Sequence, residues 1–340
     1  MKHLPYFFII VIVAISSCNS SPEIKRQQLL LKGNIALDEN NLKQAIYYYD
    51  QCIEMSDTFP HPFNNRAIAY QRLGDFQNAF NDYDKAILVE PDFFEAYFNR
   101  AQLFVETQNY KSALIDLEKL EQVYRDSSSF HFVKGLANTG LRLYDKALED
   151  FETAKKLDPN NPEIDINLAT VLYYNKDFDQ ATEVIDKIIN SGEIPEAYNL
   201  KALLLIESNE LELAEAQISK ALRLNSNSFF YNNRGYIRLL QGGLEEGLKD
   251  INQSLLMNDD NAWAYRNKGY YFYLTEQYDE AVDFLEKSIA LDRNVLKSRE
   301  YLGLIHIKKG DKGLACNYWQ EAFELGEKEC AALIDQYCTN

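Results

Sequence analysis

The sequence predicts an all-α array of repeated helical hairpins, and three observations carry that expectation. Apolar residues recur at helical spacing in pairs of short segments, small residues stand at fixed places in each segment, and the pattern returns about every 34 residues. The stretch from Phe63 to Pro91 shows the unit. Phe63, Ala67 and Tyr70 are four and then three residues apart, on one face of a helix. Leu73-Gly74-Asp75 breaks the pattern, and Phe76, Ala79, Phe80, Tyr83, Ala86 and Ile87 restore it. Pro91 ends it, because proline disfavours helix in the residue before it. Neither helix can bury its apolar stripe alone, so a neighbouring hairpin has to cover it.

The second helices carry a small residue at Ala45, Ala79, Ala113, Ala147, Ala181, Ala214, Gly247, Ala281 and Ala315, at intervals of 34 with two of 33 flanking Ala214. Twelve residues upstream of each lies another: Gly33, Ala67, Ala101, Gly135, Ala169, Ala202, Gly235, Gly269 and Gly303. Such slots let paired helices approach closely, and a ring four residues after the second slot (Tyr49, Tyr83, Phe151, Trp319) fills the space beside it. Period, hairpin pattern and slot chemistry together resemble the tetratricopeptide repeat family. Tyr70, Ala79, Tyr83 and Pro91 fit its motif, and Gly135, Phe151 and Pro159 fit it again in the fourth copy. The resemblance covers residues 26–326 and implies a right-handed superhelical solenoid of about nine hairpins. It also implies that the first helices line a concave face that binds partners.

Taken in order, residues 1–17 read as an export signal, with Lys2 as its positive end, Tyr6 to Ile15 as its apolar core and Ser16-Ser17 before the cut. The apolar core is shorter than the ~20 residues of a membrane-spanning helix. Cys18 directly after Ile15-Ser16-Ser17 resembles a bacterial lipobox, which implies an acylated (palmitate-bearing) lipoprotein tethered to the cell envelope. The other reading is an ordinary secretory signal leaving a free cysteine. Asn19 is not the aspartate of inner-membrane retention, so the expected location is the outer membrane, facing the periplasm or the surface. Residues 18–25 form the tether, 26–326 the array and 327–340 a capping helix, in which Cys330, Leu333, Ile334, Tyr337 and Cys338 share an apolar face. Gly242-Gly243 and Gly247 make the seventh copy the expected hinge, since glycine lowers helix propensity by up to about 1 kcal/mol.

The chain turns near Gly326, which brings Cys316 and Cys338 level on antiparallel helices. A Cys316–Cys338 disulfide, permitted in an exported protein, and three reduced thiols under a cap both fit this spacing. Cys52 falls in a slot that other copies fill with alanine, so it reads as core.

With 52 acidic against 35 basic residues the net charge is −17, which repels nucleic acid and anionic headgroups. No basic cluster offsets it. His131 and His306 occupy slots that other copies fill with tyrosine, and no HExxH pair, phosphate-cradling glycine loop or nucleophile elbow is present. The expectation is therefore a non-enzyme without cofactor, metal or nucleic-acid partner.

Function then rests on the first helices. Two residues before the small slot stand Asn65, Asn99, Asn167, Asn233 and Asn267, although asparagine is a poor helix former. Amides could offset that cost by bonding an extended peptide backbone. In this they resemble the asparagine ladder of the repeat domain of protein O-GlcNAc transferases. Alternatively they are inherited with the repeat, or bond between neighbouring helices. Phe98, Tyr173, Phe229, Tyr236, Trp263, Tyr270 and Tyr273 fall on the same face, and Arg266 sits among them. Tyr, Trp and Arg are the usual interface anchors. The lysine slot of the carboxylate clamp found in chaperone-binding members holds no lysine here, which puts that function in doubt. The reading is a membrane-anchored adaptor that holds a protein or extended peptide. The alternative is an envelope carbohydrate-binding protein whose aromatics stack on sugar rings.

Overall fold

The computed structural model describes residues 21–338. The export signal and Cys18 lie outside the described residues. Among the described residues there are nineteen helices and no strand, an all-α repeat solenoid. They gather into two compact units divided between Leu143 and Tyr144. Unit 1 contains α1 (Pro22–Asp38), α2 (Leu42–Met55), α3 (Pro60–Arg72), α4 (Phe76–Val89), α5 (Phe94–Glu106), α6 (Tyr110–Tyr124) and α7 (Ser128–Gly140). Unit 2 opens with α8 (Tyr144–Leu157), α9 (Pro162–Tyr174), α10 (Phe178–Ser191), α11 (Pro195–Glu207), α12 (Leu211–Leu224) and α13 (Ser228–Leu240). It continues with α14 (Leu244–Met257), α15 (Ala262–Leu274), α16 (Tyr278–Leu291), α17 (Ser298–Lys308), α18 (Lys312–Glu324) and α19 (Cys330–Tyr337). Helix α1 begins at Pro22, so residues 22–25, expected in the tether, belong to the first helix.

Local signals explain the boundaries. Proline opens α1, α3, α9 and α11, where its missing N–H is no loss. Asp75, Asp177 and Asp311 cap second helices by accepting a backbone N–H three residues on. Each hairpin turn places one residue in the left-handed region: Asn40, Gly74, Gln108, Arg142, Lys176, Asn209, Gly242, Glu276 and Gly310. All nine stand five residues before the small slot of the second helix, so the turn conformation repeats even where its residue type does not.

The slots pack as their spacing implies. A Cβ on Gly33 would lie 2.4 Å from the Tyr49 ring, and one on Gly303 would lie 2.2 Å from the Trp319 indole. Tyr49, Tyr83, Phe151 and Trp319 are fully buried. Helix α19 covers the last hairpin, with Cys330 in one cluster with Ala315, Trp319 and Ala322. Cys316 and Cys338 are disulfide-bonded, with their Cα atoms 5.7 Å apart, while Cys52 and Cys330 are free and buried. The seventh hairpin is not the loose element expected of it. Gly235 and Gly247 let α13 and α14 touch so closely that a Cβ on Gly247 would meet Leu239 Cδ2 at 2.7 Å and the Gly235 carbonyl at 2.9 Å. Gly235 and Gly247 serve contact, and Gly242 supplies the left-handed turn residue.

A ladder of arginine–aspartate pairs, unforeseen from the sequence, stitches successive hairpins. Arg66 Nε and Nη2 donate to both oxygens of Asp82 in its own hairpin at 2.7 Å, and Nη1 donates to Asp50 of the preceding one at 2.5 Å. Arg100 repeats the arrangement with Asp116 and Asp84 at the same distances. In unit 2, Arg234 holds Asp250 at 2.7 Å. The signal was legible: in each case arginine precedes the small slot and the principal aspartate follows 16 residues later.

Candidate functional site

The first helices of unit 2 enclose a cavity of about 570 Å³. Helix α9 supplies Tyr173 and Tyr174, and α11 supplies Asn199, Leu203, Ile206 and Glu207. Phe229, Asn232, Asn233, Tyr236 and Leu240 come from α13, Trp263 and Arg266 from α15, and Leu296 and Lys297 from the segment before α17. Amide and charged side chains thus share the cavity with aromatic and aliphatic walls, and such convergence of polar groups on apolar surface is what a ligand site needs.

Six of the expected contact residues, Tyr173, Phe229, Asn233, Tyr236, Trp263 and Arg266, thus line one cavity. Tyr270 stacks instead on Tyr301, ring centroids 4.6 Å apart, and Tyr273 joins that stack at 6.3 Å. Phe98 stacks on Tyr124 in unit 1 at 5.7 Å. Asn65 and Asn99 also lie in unit 1, and Asn167 Nδ2 donates to the Glu163 carbonyl of its own helix at 2.9 Å.

The amides form a chain rather than an open ladder. Asn267 donates to Asn232 at 2.7 Å, Asn232 to Asn233 at 3.3 Å, and Asn233 to Asn199 at 2.7 Å. Unit 1 repeats this from Asn99 to Asn64 at 3.0 Å, to Asn65 at 3.0 Å and to Asn34 at 2.8 Å. Asn64, Asn232 and Asn267 are buried. The alternative of bonding between neighbouring helices therefore describes these residues, because a buried amide has to find its partner within the protein. Consecutive asparagines at 64–65 and 232–233, with a third 35 residues after the first, were the sequence signal for it. Within the cavity the half-exposed Asn199 and Asn233 present the amides that a ligand can reach.

Arg266 is the centre of the site. It is 6 % exposed, and its guanidinium stands 4.5 Å from the Tyr236 ring centroid and 5.2 Å from that of Trp263. Such cation–aromatic contacts contribute about 0.5–2 kcal/mol each. Its Nε is buried without a hydrogen-bond partner, as is Asn267 Oδ1. Burial pushes the Tyr236 phenol up, but Arg266, Lys297 and the bonded Tyr301 hydroxyl more than reverse this, leaving it below its ordinary value. Tyr173 donates to Glu207 at 3.0 Å, and burial followed by that carboxylate's charge pushes its phenol well up. Lys297 adopts a left-handed backbone, φ 67°, fixed by its N–H donating to the Glu327 carboxylate at 2.8 Å.

Beside the cavity, the ligand atoms of Glu300, Glu327 and Cys330 lie within 4.8 Å of one another. Burial pushes the Cys330 thiol up to about 12, so in the metal-free protein it is a neutral S–H. Among the described residues no helix is long and apolar enough to cross a membrane.

Stacked helical hairpins of this period define an all-α repeat solenoid. Family models described as tetratricopeptide repeat match residues 29–59, 64–122, 142–204, 195–228 and 264–295, together more than half of the chain. The chain belongs to the tetratricopeptide repeat family. It is 33% identical over 144 residues to the TPR repeat-containing protein MJ1428 of Methanocaldococcus jannaschii, covering 42% of this chain and 25% of that protein. It is 25% identical over 96 residues to tetratricopeptide repeat protein 6 of Homo sapiens, covering 28% and 18%. The chain thus spans a quarter or less of the curated relatives it matches. Among solved structures, the Cut9–Hcn1 hetero-tetramer of the APC/C superposes with TM-score 0.58 at 14% identity, covering 92% of this chain and 76% of that one. PilF of Pseudomonas aeruginosa superposes with TM-score 0.53 at 20% identity, covering 62% and 97%. These likenesses bear on the fold. Proteins of this family generally act as protein-interaction scaffolds rather than enzymes.

Proposed function

We propose that unit 2 holds a segment of a partner protein in the cavity between α9, α11, α13 and α15, and that the chain acts as an adaptor tethered to the cell envelope through Cys18. The observation that carries the reading is the cavity itself. Phe229 is 48 % exposed there and offers an apolar anchor. Half-exposed Asn199 and Asn233 offer amides to a peptide backbone, and Trp263 and Tyr236 form a rigid aromatic wall. The amide chain positions Asn233 and Asn199, and these two replace the five-residue ladder as the backbone-reading element. Sugar stacking is the weaker reading, because the Arg266 guanidinium already stands over Tyr236 and Trp263.

Site-specific photocrosslinking from position 229 in intact envelopes, followed by mass spectrometry, tests the reading. A protein partner that is captured from position 229 but not from the equally exposed Leu213 supports it. Capture of glycan, or of nothing specific to position 229, overturns it. Retention of the protein in the aqueous phase after detergent partitioning, unchanged by Cys18→Ser, would refute the tether independently.

A further inference from the structure

We infer that the cavity selects an acidic residue within the bound segment, seating its side-chain carboxylate on Arg266 with Lys297 alongside. The inference rests on the reading that unit 2 holds a peptide segment, and it names what that segment must contain.

Elsewhere this chain gives its buried and half-buried guanidinium groups a carboxylate partner. Arg66, Arg100 and Arg234 each hold an aspartate at 2.7 Å, and Arg299, 4 % exposed, holds Glu321 at 3.1 Å. A buried cation needs such a partner, because desolvation is expensive unless charge and hydrogen bonds are both satisfied. Arg266, 6 % exposed, is buried more deeply than Arg66, Arg100 and Arg234, yet among the described residues it makes no ion pair and its Nε is unbonded, with Glu300 acting on it through charge alone. Fifty-two acidic side chains were available to the fold, so the missing carboxylate does not reflect scarcity. The cavity's own carboxylate, Glu207, is engaged by the Tyr173 hydroxyl. The Tyr236 hydroxyl bonds the guanidinium, but among the described residues nothing bonds its Nε.

Geometry narrows the occupant. Guanidinium presents coplanar N–H groups matched to a carboxylate, and the free Nε is one of them. Residues of α9, α11 and α13 and Lys297 line the same recess as Arg266. The acid is a side chain within the bound segment, and Asn199 and Asn233 in that recess meet the flanking backbone. With a net charge of −17, long-range repulsion opposes acidic peptides. A preference for acid can come only from a local cation.

Selection from two random peptide libraries, one displayed with a blocked C-terminus and one with a free C-terminal carboxylate, tests this on the full chain. Enrichment of Asp or Glu at one internal position, lost with Arg266→Met, is the expected result. A selected peptide should bind Arg266→Met at least about ten-fold more weakly, with Arg266→Lys intermediate. Enriched peptides lacking an acid, or an acid preference that survives Arg266→Met in a variant shown folded by circular dichroism, overturn the inference and leave the peptide-holding reading intact. Enrichment confined to the free-terminus library also overturns it, in favour of a terminal carboxylate. Retention of no peptide from either library removes both readings.

Discussion

Arg66 in unit 1 and Arg266 in unit 2 both project from the first helix of a hairpin, yet they stand in opposite electrical surroundings. Arg66 is enclosed by Asp82 and Asp50, one from its own hairpin and one from the hairpin before. Arg266 is enclosed by Tyr236 and Trp263, which hold it without neutralising it. The first arrangement spends a cation on joining repeats. The second keeps a cation ready for something outside the chain. One fold thus produces a seam one residue before the small slot, where aspartates face the arginine, and a receptor three residues before it, where aromatic rings surround it.

Removing each guanidinium should break the comparison most sharply. Arg66→Met leaves Asp82 buried and unpaired, and should lower stability by about 3 kcal/mol. Arg266→Met removes a buried charge that no carboxylate pairs directly among the described residues, and the lost aromatic contacts and the Glu300 attraction roughly offset that gain. Its thermal midpoint should stay in place or rise. Paired calorimetry on the two variants checks this, and equal losses would show Arg266 to be another seam.

Reduction of the Cys316–Cys338 disulfide comes next. Releasing a loop with a sequence separation of 22 should cost about 3 kcal/mol in the chain-entropy account. Hydrogen exchange should rise first in α19 and leave unit 1 unchanged. Gly247→Ala follows, with an expected loss of about 1–3 kcal/mol from overpacking against Leu239 and the Gly235 carbonyl. Helix propensity alone predicts the reverse sign, so a denaturation midpoint decides between local preference and close packing.

The smallest effect belongs to Glu329, whose bond to Lys176 holds its carboxyl below the ordinary glutamate range. A depressed folded value contributes stability that is present above the unfolded value and lost as pH falls through the folded one. The side chains are 60% and 61% exposed, so Glu329→Gln should cost less than about 0.5 kcal/mol at neutral pH and nothing below the folded value. Midpoints measured across that acid range check the sign.

Much of this was legible in the sequence. Ala45, Gly303 and their equivalents announce the helix pairs, because a contact between backbones tolerates only small side chains. Tyr49 and Trp319 announce what fills the remaining space. Side-chain partners were harder to read. Asn267 looks like a groove residue by spacing, and only the position of Asn232 on the neighbouring helix shows that its amide is taken. The pairing of Arg66 with Asp82 was visible as a recurring separation, but the special character of Arg266 lies in what does not face it. A missing counter-ion has no signature in a one-dimensional pattern.

One feature of unit 2 sets it apart from an open row of hairpins. Tyr173 and Lys297 line the same cavity, and Lys176 reaches Glu329 across 153 positions of sequence. In an open row each hairpin meets only its neighbours, so copies can be gained or lost with little effect on any one surface. Here the first and last contributors to the recess are brought together only if the number of intervening hairpins is right. Inserting a single extra copy would leave every local contact available and still take the recess apart, which makes repeat number itself an inherited determinant of recognition.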